Sequence, residues 1–140
     1  MKLEIEKQKK KEWFYSEKVK EHFFNPHNII RCKEDIAKMQ PNGHGKVGSP
    51  ACGDVMEMWI KVKNGKIKEC KWQTFGCASA IASTSILSDM VIGMTLEEAY
   101  KIRPAEIVKE LGGLPKRKIH CSVLGDQALR AAINDYNQNS

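Results

Sequence analysis

Polar and apolar residues alternate from Val55 to Lys63. Met56, Met58, Ile60 and Val62 fall on one face, with Glu57, Lys61 and Lys63 on the other, and this period of two predicts a half-buried strand. A second strand is expected over Lys66–Phe75. The Asn64-Gly65 pair between the two is a strong hairpin signal. A two-residue loop sets Met56 and Met58 opposite Gln73 and Lys71. A three-residue loop closing on Gly65 with a bulge sets them opposite Trp72 and Cys70, and the apolar faces choose this second register. Carried to the strand ends, either register leaves Cys52 abreast of Gly76 or Cys77.

Elsewhere the period is helical. Ser16 caps an expected helix that carries Val19 and Phe23 on one face, and Asn25-Pro26 ends it. A weaker helix is expected over Ile29–Met39, and Pro41-Asn42-Gly43-His44-Gly45 reads as a flexible loop. After Cys77 a small-residue stretch, Ala78-Ser79-Ala80-Ile81-Ala82-Ser83, suits a helix packed closely on a sheet and ending near Gly93. Thr95-Leu96-Glu97-Glu98 is a capping box for the next helix. Pro104 opens another, which Gly112-Gly113 terminates. The last helix begins around His120-Cys121, with Val123, Leu124, Ala128, Leu129, Ala132 and Ile133 as its buried stripe. Residues 1–14 are a charged arm with little to bury, expected to be mobile, and 15–138 form one expected domain.

The 140 residues, 41% hydrophobic and 29% charged, suffice for one core. No apolar run reaches the roughly 18 residues of a membrane span, and the acidic and basic start is neither a signal nor a transit peptide, so a cytoplasmic location is expected. The net charge of +6 makes acidic partners a candidate. However, the lysines alternate with Glu4, Glu6, Glu12, Glu57 and Glu69, as on a solvated face, and no aromatic-interleaved basic motif is present. Nucleic acid and membrane are therefore not expected as partners.

Five cysteines, an odd number, at scattered spacings point to reduced thiols rather than a disulfide framework. Three of them lie in turn-like, small-residue surroundings: Ala51-Cys52-Gly53-Asp54, Phe75-Gly76-Cys77-Ala78 and His120-Cys121-Ser122. Thiolate, imidazole and carboxylate together suit zinc or an iron–sulfur cluster better than magnesium or calcium. There is no CxxC knuckle, so a fold must gather the ligands. Asp54, two residues after Cys52, reaches the same side of an extended chain; its ordinary alternative is a turn cap. His120 is a ligand or a supporting histidine. Lys118 is a cation beside the thiolates or a plain surface lysine. Cys77 and Cys121 begin helices, where free amide groups favour a thiol's anionic form. Cys70, within a strand beside Trp72, reads as a structural thiol, and Cys32 as a partly buried one. His22, His27 and His44 have no recognisable spacing.

These motifs resemble the IscU/NifU N-terminal family of iron–sulfur cluster assembly scaffolds. The likeness runs from Tyr15-Ser16-Glu17-Lys18-Val19 and Asn25-Pro26, through Gly48-Ser49-Pro50-Ala51-Cys52-Gly53-Asp54 and Thr74-Phe75-Gly76-Cys77, to Lys118-Ile119-His120-Cys121-Ser122. It implies an α+β fold, a small antiparallel three-stranded sheet covered on one side by several helices, with the site at one exposed end. It further implies that Cys52, Cys77 and Cys121, with Asp54 or His120, hold a nascent [2Fe–2S] cluster that is assembled and then released. Cys121 is the expected persulfide acceptor, Asp54 the residue that keeps the cluster labile, and Lys118 a support. The implied partners are a cysteine desulfurase, an electron-donating ferredoxin and apo iron–sulfur proteins. Oligomeric state stays open, a homodimer included. Family members served by a dedicated Hsp70 pair carry Leu-Pro-Pro-Val-Lys before the His-Cys motif. Here Leu114-Pro115-Lys116-Arg117-Lys118 stands in its place, so that chaperone does not carry over. The implied role is that of a carrier rather than a turnover enzyme.

The competing enzyme-class reading is the related zinc-dependent sulfur acceptor of cysteine desulfurases, and zinc fits the same ligands tetrahedrally. Those relatives carry an insertion between the second and third cysteine motifs. Here Ala78 to Ile119 reads as three helices without spare sequence.

Overall fold

A computed structural model of the chain describes residues 16–49, 53–114 and 119–139, without the side chains of 49 and 119–123. The charged arm expected at 1–14 lies outside the described residues. Six helices and three strands are present among those described: α1 (Glu17–Phe24), α2 (Lys33–Met39), β1 (Gly43–Ser49), β2 (Asp54–Lys63), β3 (Lys66–Phe75), α3 (Ala78–Val91), α4 (Leu96–Tyr100), α5 (Pro104–Glu110) and α6 (Ile119–Asn139). The strands form one antiparallel sheet in the order β1-β2-β3. Among the described residues, no helix is long and apolar enough to cross a membrane.

The hairpin is tighter than the expected three-residue loop. Asn64 and Gly65 both take positive φ, 56° and 75°, the geometry of a two-residue turn that matches strand twist. Lys63 therefore pairs with Lys66, and Val62 with Ile67. A two-residue loop alone would turn the Met56 and Met58 side of β2 against the polar side of β3. A bulge that skips Lys68 restores the match, so Ile60 faces Cys70, Met58 faces Trp72 and Met56 faces Thr74. The apolar faces meet as expected, but the register is displaced by two residues from the expected pairing of Met56 with Trp72. Trp72, Met56, Met58, Ile60 and Ile67 are all fully buried.

The loop expected at 41–45 is instead the start of β1. A Cβ on Gly43 would lie 2.6 Å from the carbonyl oxygen of Ala132, and one on Gly45 would lie 2.4 Å from that of Ala128. These glycines let the strand touch the backbone of α6, a use of glycine that composition alone cannot distinguish from a loop. Gly43 meets Ala132 and Gly45 meets Ala128, so β1 and α6 run in opposite directions. The first turn of α6 thus heads toward Ser49, which pairs with Asp54.

The helix expected from Ile29 starts only at Lys33. Ahead of it, Ile30 N–H donates to the Trp72 carbonyl at 2.8 Å and Trp72 N–H to that of Asn28 at 3.2 Å, so this segment covers the outer edge of β3. On the sheet face away from the main core, Trp59 packs with Ile30, Met39 and Ile36 of α2. Helices therefore do not lie on one face alone. In α1 the buried side chains are Val19 and His22, while Phe23 is on the exposed side.

Helix α3 is the central element. Ser79, Ala80, Ala82, Ser83, Thr84, Ser85, Ile86, Leu87 and Ser88 are all buried. Three of its hydroxyls are satisfied inside the helix: Ser83 and Thr84 donate to the Ala80 carbonyl at 3.1 and 2.7 Å, and Ser88 to that of Ser85 at 2.6 Å. Small side chains let α1, β3 and α6 all pack against it. Helices α4 and α5 follow, completing the three expected between Cys77 and α6. Thr95 caps α4 with Glu98 in a capping box, and Pro104 opens α5.

Candidate metal centre

The displaced register has a direct effect on the site. Val55 is paired with Phe75, so the next step along the ladder sets Asp54, rather than Cys52, abreast of Gly76. The side chains agree: a Cβ on Gly76 would lie 2.7 Å from Asp54 Oδ1 and 3.1 Å from Ala80 Cβ. Asp54 is 6% exposed, so its carboxylate is folded into the gap that a side chain at position 76 would fill. Gly76 thus serves as space, and it is a candidate site residue that sequence reasoning missed. Its signal was a glycine placed immediately before a helix-capping cysteine.

Cys77 is the N-cap of α3, in an extended conformation (φ −75°, ψ 173°), with its carbonyl accepting from Ile81 N–H. Its sulfur is half-buried and lies 3.1 Å from Ser79 Oγ. Asp54 and Cys77 are therefore neighbours at the N-terminal end of α3, where the unpaired amides of the first turn create a positive field.

Helix α6 approaches the same end. Gly125 sits where α6 crosses α3 and β2, with Leu87 Cδ2 at 3.5 Å and Met56 Sδ and Thr84 Oγ1 at 3.9 Å from a Cβ built on it. Cys121 stands one turn earlier, about 6 Å along the axis, within the first turn of α6. The backbone thus brings the start of α6 toward the Asp54 and Cys77 end. The side chains of His120 and Cys121 lie outside the described residues, as do Cys52 and Lys118 altogether.

The remaining cysteines separate cleanly. Cys70 is buried in β3, and burial pushes its thiol up to about 12, so it stays protonated and structural as expected. Cys32 departs from expectation: it is exposed at the start of α2, where its backbone N–H donates to Asp35. The Glu34 carboxylate beside its thiol raises the thiol's pKa. The fold also assembles a group of side chains without a spacing motif. His22, His27 and Asp89 offer ligand atoms that all lie within 4.8 Å of one another.

The matching family model is described as the NifU-like N-terminal domain and covers residues 14–140. The IscU 1 scaffold of Archaeoglobus fulgidus is 49% identical over 122 residues, 87% of this chain and 76% of that one. IscU of Haemophilus influenzae is 49% identical over 124 residues, 87% of this chain and 94% of that one. Both are named as iron–sulfur cluster assembly scaffold proteins. The solved structure of the N-terminal part of a NifU-like protein from Brucella abortus superposes with a TM-score of 0.67. It covers 89% of this chain and 95% of its own at 20% identity, a likeness of fold. By a domain match across nearly its whole length and by relatives near half identity, the chain belongs to the NifU-like N-terminal domain family.

Proposed function

We propose that this protein is a scaffold on which an iron–sulfur cluster is built and from which it is handed to acceptor proteins. The observation that carries the reading is the Asp54 carboxylate packed against Gly76 beside Cys77, at the sheet end toward which α6 brings the Cys121 backbone. The naming of close relatives as scaffolds supports it. In this reading the cargo is a [2Fe–2S] cluster held by Cys52, Cys77 and Cys121, with Asp54 or His120 as the fourth group. A carboxylate oxygen is a hard donor among soft sulfurs, which favours release over permanent retention. Lys118 offsets the negative charge of a thiolate-rich cluster.

Sulfur enters by exchange. The Cys121 thiolate attacks the terminal sulfur of a desulfurase persulfide, and the donor cysteine leaves as its own thiolate. The persulfide then on Cys121 takes two electrons, one from a ferredoxin-type donor and one from a ferrous ion that becomes ferric, splitting into the Cys121 thiolate and sulfide. Two such rounds and two ferrous ions provide the cluster's atoms. The Gly112-Gly113 segment, both residues at positive φ, precedes α6 and gives the chain a place to swing.

Anaerobic reconstitution with ferrous iron, cysteine, a desulfurase and a reduced ferredoxin is the test, read by optical spectra and metal analysis. A [2Fe–2S] chromophore is expected with about two irons per chain, and stoichiometric zinc with no chromophore would sink the reading. Asp54→Ala is expected to give a more persistent cluster. Equal or faster loss of absorbance on transfer to an apo-ferredoxin contradicts the role given to Asp54.

A further inference from the structure

At the opposite end of α3 from Cys77, three elements bring titratable side chains together. His22 comes from the buried face of α1, His27 from the turn after it, and Asp89 from the last turn of α3. The rings of His22 and His27 have their centres 4.4 Å apart. His27 Nδ1 is 2.5 Å from Asp89 Oδ2. Supporting contacts hold each group. Asn28 Nδ2 donates to Asp89 Oδ1 at 2.8 Å, His22 Nδ1 is 2.7 Å from Ser85 Oγ, and that same oxygen accepts from the His27 backbone N–H at 2.8 Å. None of these residues belongs to the cysteine motifs. Asp89 lies twelve residues beyond Cys77 along α3, about 18 Å of helix.

We propose that His22, His27 and Asp89 form a second metal site, one that takes a divalent first-row transition ion independently of the cluster. Two imidazoles and one carboxylate are the donor set of mononuclear zinc and iron sites with an open coordination position. Zinc bonds of about 2.0–2.2 Å to nitrogen and oxygen keep neighbouring ligand atoms about 3.4 Å apart. The three atoms already lie within 4.8 Å of one another, so shifts of about 1 Å that open the His27–Asp89 contact and draw the His22 ring inward admit the ion. His27 keeps its single proton by carrying it on Nε2 when the metal takes Nδ1. Outer contacts are in place too, since Asn28 fixes the second oxygen of Asp89 and Ser85 engages His22, as ligand-orienting groups do. Burial, followed by the nearby charge of His27, lowers the pKa of His22, which keeps that ring neutral and able to donate a lone pair. His27 and Asp89 are both about two-fifths exposed, which leaves a path from solvent and room for water on the ion.

The site is tested with the cluster ligands removed, so the result does not depend on the scaffold reading. A full-length Cys52→Ala, Cys77→Ala, Cys121→Ala variant is titrated with Co²⁺. One bound ion is expected, with d–d absorption and no sulfur-to-metal charge transfer. Adding Asn28→Ala, which frees Asp89 Oδ1, is expected to weaken binding about 10- to 100-fold; adding His27→Gln with Asp89→Asn is expected to weaken it further still. No binding by a variant whose circular dichroism matches the parent overturns the proposal, as does binding that survives His27→Gln with Asp89→Asn. Should the cysteine variant fail to fold, zinc analysis of the native chain decides instead. Two ions falling to one in His27→Gln, Asp89→Asn supports the site, and an unchanged count overturns it.

Discussion

The two ends of α3 gather polar groups in opposite ways. At the N-terminal end the groups sit around spare volume: Gly76 leaves a gap, Asp54 leans into it, and Cys77 caps the helix with Ser79 beside its sulfur. At the C-terminal end the groups are tied to one another, since His22, His27, Asn28, Ser85 and Asp89 form a continuous hydrogen-bonded set. Space at the N-terminal end opens only as the Asp54 carboxylate moves away from Gly76. The C-terminal end is preorganised and suits a fixed role, whether pinning α1 to α3 or holding an ion. Shared between them is a helix of small residues, whose Ser79 faces the Cys77 sulfur at one end and whose Ser85 joins His22 and His27 at the other.

That contrast is open to attack at several strengths. The largest effect is expected from Cys77→Ser, which removes sulfur at the open end. Cluster yield on reconstitution should collapse, while Asp89→Asn at the far end leaves it unchanged, and equal losses would erase the distinction. Next comes Gly45→Ala, whose new Cβ has the α6 backbone 2.4 Å away. Overpacking against backbone costs about 3 kcal/mol, measured as a lower midpoint in urea unfolding. Gly76→Ala meets a movable carboxylate instead, so a smaller cost of about 1–2 kcal/mol is expected, together with altered cluster lifetime as Asp54 is displaced. An unchanged lifetime would break the link between Gly76 and Asp54.

The smallest effect concerns pH at the tied end. Burial holds the His22 pKa below its ordinary 6.5, so between those two values the unfolded chain binds the proton that the folded chain refuses. Stability is therefore full above about pH 6.5 and declines as the pH falls through that value toward the lowered one. His22→Gln should flatten this stretch of the stability profile, as seen by thermal unfolding at several pH values. An identical slope in the variant would assign the effect to another group.

Much of this was legible in the chain. Alternation and Asn64-Gly65 located the hairpin, cap signals located α1, α4 and α5, and the small-residue run after Cys77 located α3, because those cues are local. The placement of Cys77 at a helix start followed from that run. What sequence patterns could not carry was packing across the chain. Gly43 and Gly45 look like loop residues until a helix is laid against them. Ile29 and Ile30 fit a helix, yet their backbone serves the edge of β3. His22, His27 and Asp89 converge from three elements, which no spacing rule encodes. Phe23 was expected on the buried face, but the burial of His22 against Ser85 turned the helix instead. Of the expected ligands, the structure brings Asp54 together with Cys77. Cys52, Lys118 and the side chains of His120 and Cys121 fall outside the described residues.

The bulge at Lys68 has one more implication. Because side chains alternate, what the hairpin must preserve is only whether the count of residues between facing positions is odd or even. A two-residue turn with one bulge and a three-residue turn without one are equivalent in that arithmetic, and both operate at the tip far from Asp54 and Cys77. Residues can therefore be gained or lost there two at a time while the two site residues stay neighbours. The distance along the chain between Asp54 and Cys77 is then free to drift, and a search keyed to that fixed spacing would overlook proteins built on the same centre.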